Sequence, residues 1–430
     1  MSQPAFTVQV FQNEFLPERG REVNAIVSVT SAGTVEGAPT PAASGAEIII
    51  IDCSGSMSAP ATKIAAARQA TVAAVDAIRD GVAFAVVAGT GGAKPVFPDY
   101  AGLVTADAQT RDAAKSAVNR LQAGGGTAIG KWLSLARDMF ATRPEADLRH
   151  AILLTDGKNN ERGRTFDEAI RRCEGVFSCD CRGVGTDWNV DELRKVSSAL
   201  LGTVDIVADP EGLAADFEAM MKTAMGKEVA DVVLRVRTPQ HATIKFVKQV
   251  APVIEDLTAR RSDAGAQTGD YPTGAWGEES RDYHVCIEVE PAAVGQEMLA
   301  ARVSLALNSA SGTEVLGQGM VKAIWTDDEG LSTRINRHVA HYTGQAELKE
   351  AIDEGLAARK AGDEDGATAK LGRAVRLAHE SGNEDTAKLL ARVVDVMDPA
   401  TGTVRLKSRV ADADEMTLDT RSGKTVRVKK

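Results

Sequence analysis

Cysteine is scarce: Cys53, Cys173, Cys179, Cys181 and Cys286 are the five thiols in 430 residues. They are too few and too unevenly spaced for the disulfide framework of a small secreted fold. Long apolar runs are missing too. The most apolar short run is Ile48–Ile51, far below the roughly 18 residues a membrane span needs. The N-terminus, Met1-Ser2-Gln3-Pro4-Ala5-Phe6, has neither a basic n-region nor an apolar h-region. The expectation is a soluble, cytoplasmic chain without a membrane partner. Positive charge is in deficit: 50 Lys and Arg stand against 60 Asp and Glu, a net charge of −10. Non-specific nucleic-acid binding needs basic surface, so nucleic acid is not expected as a partner. The G-x-S-x-G elbow of an α/β-hydrolase is absent.

What remains is ordinary globular composition, 43% apolar and 26% charged, enough for roughly two to four domains. Residues 6–11 and 22–30 alternate apolar and polar, the period of half-buried strands. Residues 31–46 are Gly, Ala, Pro and Thr-rich and read as a linker. From Glu47 to Met225, short apolar strands alternate with amphipathic helices. This predicts an α/β domain with a doubly wound, mostly parallel sheet. After Val229 the alternation returns at 231–237, 243–250, 283–290, 301–308 and 315–325, which predicts an antiparallel β-sandwich.

The resulting division is 1–44 for N-terminal strands joining the sandwich, 45–227 for the α/β domain and 228–328 for the sandwich. Residues 329–397 form a helical segment with weak likeness to tetratricopeptide helices, and 398–430 form a charged tail with a strand at 404–410.

Three segments carry chemistry. Asp52-Cys53-Ser54-Gly55-Ser56 ends the first parallel strand and puts one carboxylate and two hydroxyls on one tight loop. Thr127, after three glycines, offers a hydroxyl at a helix start, and Asp156 a carboxylate at the end of another parallel strand. Ligands of open α/β sheets bind beyond the carboxyl ends of the strands. Hard oxygen donors of this kind suit Mg²⁺, with Mn²⁺ or Ca²⁺ sharing the ligand types.

On these motifs, residues 46–226 resemble the von Willebrand factor A family, whose constellation is a metal-ion-dependent adhesion site. The resemblance implies metal-ligand roles for Asp52, Ser54, Ser56, Thr127 and Asp156, with Asp156 often acting through water. It also implies an open coordination position, filled by an acidic side chain of a protein partner. Stretches such as Phe84-Ala85-Val86-Val87-Ala88-Gly89-Thr90 and Gly183-Val184-Gly185-Thr186-Asp187-Trp188 resemble bacterial, mainly actinobacterial, cytoplasmic A-domain proteins. That implies a scaffold role in a phospho-signalling or stress-response assembly rather than an enzyme. The alternative is a metal-dependent enzyme or enzyme subunit acting on a phosphate ester.

Other motifs read as structural. Gly125–Lys131 has the glycine and lysine spacing of a P-loop, but Trp132 follows where a Mg²⁺ hydroxyl is needed. Cys173, Cys179 and Cys181 lack zinc spacing and read as packing, with a redox-labile Cys173–Cys179 pair as the alternative. Cys53 alternates away from the site. Asp363-Glu364-Asp365-Gly366 lacks the ligands of a calcium loop and reads as a helix start. His338 and His341 lack a third ligand. Thr417, Thr420 and Thr425 lie in the charged tail, where a phosphothreonine would offer a forkhead-associated domain an anionic docking point.

Overall fold

The computed structural model describes residues 5–32, 44–309 and 312–428. The chain divides into two units, residues 39–230 and residues 1–38 together with 231–430.

In the first unit five parallel strands stand in the order Val204–Val207, Ser178–Val184, Leu148–Thr155, Gly45–Asp52 and Ala83–Gly89. Ile48–Ile51 lie in the middle of this sheet and are fully buried, each contributing about 1.5–3 kcal/mol on leaving water. Alternation splits them between two faces. Ile49 and Ile51 pack in one core with apolar residues of the helices Thr62–Ala77 and Leu213–Met225. The helices Ile129–Phe140, Gly163–Cys173 and Val190–Ala199 complete the α/β layers.

Two short strands that periodicity does not reveal, Ala93–Phe97 and Val104–Thr105, pair antiparallel with Ala83–Gly89. The first contains Pro95 and closes the sheet's edge, where a missing N–H is tolerated. From Gly45–Asp52 the second strand in chain order lies on one side and the third on the other. The crevice of the sheet therefore opens between Asp52 and Asp156.

In the second unit two sheets face each other. One has the order Ala5–Gln12, Glu22–Ala32, Glu279–Val289, Ala242–Ala251, Glu255–Asp256. The other has the order Ser262–Gly265, Thr268–Trp276, Val229–Arg237, Glu297–Ser309, Gly312–Thr326, Phe15–Pro17. Phe6 meets Trp276 edge to face with centroids 5.7 Å apart. Val8 and Val10 lie so close over Gly317 and Gly319 that a Cβ at either glycine would come within 2.8 or 2.5 Å of them. Thr268–Trp276 has no counterpart in the sequence reading, because Gly269, Pro272 and Gly274 interrupt its alternation.

The helices Arg337–Lys360, Glu364–Ser381 and Glu384–Val393 follow, each started by an Asn or Asp side chain that accepts a backbone N–H of the first turn. Val394–Asp398 is a strand, paired with Thr403–Leu406, rather than the end of a helix. The β-branched run Val393-Val394 and Val396 favours that switch. The sequence reading of residues 398–430 as a charged tail needs correction. Asp412–Arg421 is a helix whose Leu418 is buried in the helical core. Its acidic residues pair with basic ones: Glu415 with Arg359 at 2.5 Å and Asp419 with Lys360 at 3.8 Å. Thr417 and Thr420 are buried, and their hydroxyls donate to Ala413 O and Met416 O. A phosphate on either requires this helix to open.

The next residues are strapped to the sandwich. Thr425 donates its N–H to Pro252 O at 2.9 Å and its hydroxyl to Val250 O at 2.6 Å. Arg427 grips Asp282 with Nε and Nη2 at 2.9 and 2.7 Å, and the Tyr342 hydroxyl donates to the same carboxylate. Among the described residues no helix is long and apolar enough to cross a membrane.

Candidate functional site

The loop after Gly45–Asp52 is held by backbone bonds: Cys53 N–H to Gly89 O, Gly124 N–H to Cys53 O, and Gly55 N–H to Gly125 O, at 2.7, 2.7 and 2.9 Å. These tie the Asp52 loop to the Gly124–Thr127 loop. All five sequence-predicted residues meet there. Ser54 N–H donates to Asp52 Oδ1 at 2.7 Å, Ser54 Oγ and Ser56 Oγ are 2.9 Å apart, and Ser56 Oγ donates to Asp156 Oδ1 at 2.6 Å. Gly157 has no side chain to intrude. A Cβ there would lie 3.3 Å from both Ser56 Oγ and Thr127 Oγ1 and 4.0 Å from Asp52 Oδ2. Asp52, Ser54, Thr127 and Asp156 are buried, and Ser56 faces solvent.

Sequence reasoning missed the groups that orient this set. Thr155 is fully buried and donates its hydroxyl to Asp52 Oδ2 at 2.5 Å. Lys63, in the first turn of Thr62–Ala77, places Nζ 2.8 Å from Asp156 Oδ2 and 3.5 Å from Asp187 Oδ2. Periodicity marks Lys63 only as a helix residue; a Lys at a helix N-terminus, against the dipole, is the one signal that could have drawn attention to it. Burial pushes the Asp52 carboxyl above its usual range and the Asp156 charge adds to this, against the bonds from Ser54 and Thr155. Burial works against the Lys63 ammonium, but Asp156 and Asp187 outweigh it and raise its pKa.

The segment after Asp156 fills the start of the helix Ile129–Phe140. Asn160 Oδ1 accepts from Thr127 N–H at 2.8 Å, Asn159 Oδ1 from Ile129 N–H at 3.1 Å, and Glu161 Oε2 from Gly130 N–H at 2.6 Å. These donors, which a P-loop would offer to phosphate, are already occupied. Lys131 turns its Nζ to Gly91 O at 2.9 Å. Burial pushes the Cys53 thiol up to about 12, so it is no nucleophile at neutral pH. Cys173, Cys179 and Cys181 are buried free thiols, and Cys173 donates to Leu133 O at 3.5 Å. His338 stacks on Phe11 with centroids 3.7 Å apart, while His341 Nε2 bonds Val426 O at 2.6 Å.

Among the described residues no three His, Cys, Asp or Glu side chains converge as a metal-binding cluster. The candidate centre is of another kind, with two carboxylates and three hydroxyls around the small Gly157. An all-oxygen set with this charge fits a hard divalent cation and lacks the nitrogen or sulfur that zinc centres use.

Comparison with known proteins agrees with the fold. Residues 46–206 match the von Willebrand factor type A domain, and residues 376–422 the von Willebrand factor type A C-terminal domain. The chain is 54% identical to a von Willebrand factor type A protein from Catenulispora acidiphila, with a TM-score of 0.94, over 99% of this chain and 98% of that one. The ArnB paralog VWA2 from Sulfolobus acidocaldarius shares the fold at 14% identity, with a TM-score of 0.59 over 98% and 99% of the two chains. An uncharacterized protein, sll0103, from Synechocystis is 26% identical over 223 residues, 50% of this chain and 51% of its own length. The chain thus spans about half the length of that curated relative. Matched along nearly its whole length by the Catenulispora protein, the chain belongs to the von Willebrand factor type A family.

Proposed function

We propose that Asp52, Ser54, Ser56, Thr127 and Asp156 hold a divalent cation, Mg²⁺ first, and that the ion docks an acidic side chain of a protein partner. Domains of this family are generally interaction modules and typically bind a divalent metal. The observation that carries the reading is the convergence of Ser56, Thr127 and Asp52 oxygens around Gly157, with Asp156 bonded to Ser56. Such a site would use the ion as an electrophilic anchor. Mg²⁺ keeps several waters in its octahedral shell, and an incoming carboxylate can replace one. A docking protein of this kind serves as a scaffold, and a phospho-signalling or stress-response assembly is the setting we propose for it.

The test is a paired capture from native cell lysate with wild type and Asp52→Ala, each in Mg²⁺ and in EDTA, alongside calorimetric titration with MgCl₂. The expected result is a protein retained only by wild type in Mg²⁺, with binding heat lost in Asp52→Ala. Identical catches in all four conditions and no binding heat would sink the reading.

A further inference from the structure

We infer that Lys63 is a resident counter-cation of the metal site, which loosens its hold on the divalent ion and leaves the loaded site positively charged, so that it selects an anionic occupant. The inference rests on the metal reading above and deepens it.

Three observations lead here. First, Lys63 is 8% exposed, and its ammonium lies 2.8 Å from the fully buried Asp156. Its second partner, Asp187, is 3.5 Å away with a 74% exposed side chain, so the lysine is committed to Asp156. Second, the Asp156 carboxylate is divided: Oδ2 goes to Lys63 and Oδ1 to the Ser56 hydroxyl. The lysine thereby fixes which oxygen faces the ligand hydroxyls. Third, Lys63 stands in the first turn of its helix, against the positive end of the helix dipole. Helix stability gives no reason for a cation at this place, whereas the buried carboxylate does.

The charge count follows. Asp52 and Asp156 contribute −2 and a divalent ion +2, which would leave a neutral site with little pull on an anion. Lys63 raises the loaded site to +1; Asp187, 3.5 Å from the ammonium, is 74% exposed, and solvent screens most of its offset. Because Lys63 is buried, salt screens this charge poorly. The same charge repels the ion itself. Lys63 is therefore a positioning residue that exchanges metal affinity for attraction of a carboxylate.

The test uses the full chain and Mn²⁺, which reads oxygen sites of this type and is counted directly by electron paramagnetic resonance. Wild type, Lys63→Met, Lys63→Gln and Lys63→Arg are titrated with Mn²⁺. Acetate is then titrated onto each loaded protein, with water-proton relaxation as the readout. Lys63→Met should bind Mn²⁺ about tenfold tighter or more and acetate about tenfold more weakly. Lys63→Gln, which keeps a hydrogen-bond donor for Asp156 without the charge, should shift both in the same directions and serves if the Met variant does not fold. Lys63→Arg should stay near wild type. Unchanged or weaker Mn²⁺ binding in the neutral variants would overturn the inference, since a merely structural lysine cannot tighten the site when removed. If wild type binds no more Mn²⁺ than Asp52→Ala, the metal reading itself fails, and that result is distinct from the first.

Discussion

His150 bonds Glu47 across two neighbouring parallel strands, Nδ1 to Oε2 at 2.8 Å, where the two residues are register partners. Its Nε2 lies 3.0 Å from Asp180 Oδ2. With a carboxylate at each nitrogen, the ring is an imidazolium donating twice. Burial pulls its pKa down, but Glu47 and Asp180 outweigh this and raise it to about 10. Burial likewise works against the Asp180 carboxylate, yet His150, Arg182 and Thr203 hold it well below the usual range. Burial pushes Glu47 up, against the charge and the hydrogen bond of His150. Because the folded pKa of His150 exceeds its ordinary 6.5, its contribution is complete below pH 6.5. It declines as pH rises and is gone above about 10. Replacement by Gln should lower stability at pH 6 by about 3–5 kcal/mol, since it leaves the buried Glu47 without its cation and Asp180 with Arg182 alone. Urea unfolding at pH 6, 8 and 10 checks this: the variant should lose the decline that wild type shows. Equal slopes in both would disprove the assignment.

Gly183 lies beneath the Trp188 ring, and a Cβ there would come within 1.8 Å of it. The same relation joins Gly89 to Trp132, at 2.4 Å. Both glycines lie near the carboxyl ends of strands beside the candidate centre. Gly183→Ala should displace the Trp188 indole and cost about 1–3 kcal/mol or more. Thermal melts and the tryptophan emission maximum report the two effects; an unshifted spectrum with an unchanged melt would contradict the packing.

On the metal reading proposed above, Thr155 would bear on metal affinity without being in the ligand set. Its hydroxyl fixes one oxygen of Asp52, the role that outer partners of a metal ligand take. Thr155→Val should weaken Mg²⁺ binding by roughly 10–100-fold while changing little in shape. Calorimetric titration decides it. Wild-type affinity in the valine variant would remove Thr155 from the site.

Arg427→Ala should release the chain from Lys424 onward. It removes the bidentate grip on Asp282, whose side chain is 5% exposed and would keep no cation. The expected cost is about 1–3 kcal/mol. Limited proteolysis followed by intact mass should find new cleavage after Lys424 or Arg421, and an unchanged digest would refute the strap's dependence on this pair.

Much of this molecule was legible in the sequence, for physical reasons. Ile48–Ile51, a short β-branched run, reads as a strand buried on both faces, and Asp52, Ser54 and Ser56 follow at the carboxyl edge of the parallel sheet, where the sequence reading put them. Local pattern also marked three helices within 345–396, through polar turns and Ala/Leu spacing, although the first of them starts earlier, at Arg337. What it could not supply was pairing at a distance. Lys63 and Asp156 are 93 positions apart, and Thr155 reaches Asp52 across 103. No periodicity encodes such a bond. Thr268–Trp276 was hidden by its glycines and proline, and Asp412–Arg421 by charge that serves as ion pairing rather than solvation.

The strand Glu22–Ala32 has one neighbour close in sequence and one far from it. Ala5–Gln12 is next to it in sequence, whereas Glu279–Val289 arrives roughly 250 residues later, after the α/β unit. A two-stranded hairpin is marginal in water by itself. At about 5–20 residues per second of synthesis, it must wait roughly 10–50 s on the ribosome for its third strand. During that interval the α/β unit has its complete sequence and is free to fold, while the hairpin keeps an unpaired edge. The α/β unit in the middle of the sequence is therefore complete and free to fold before the sheet on either side of it can close.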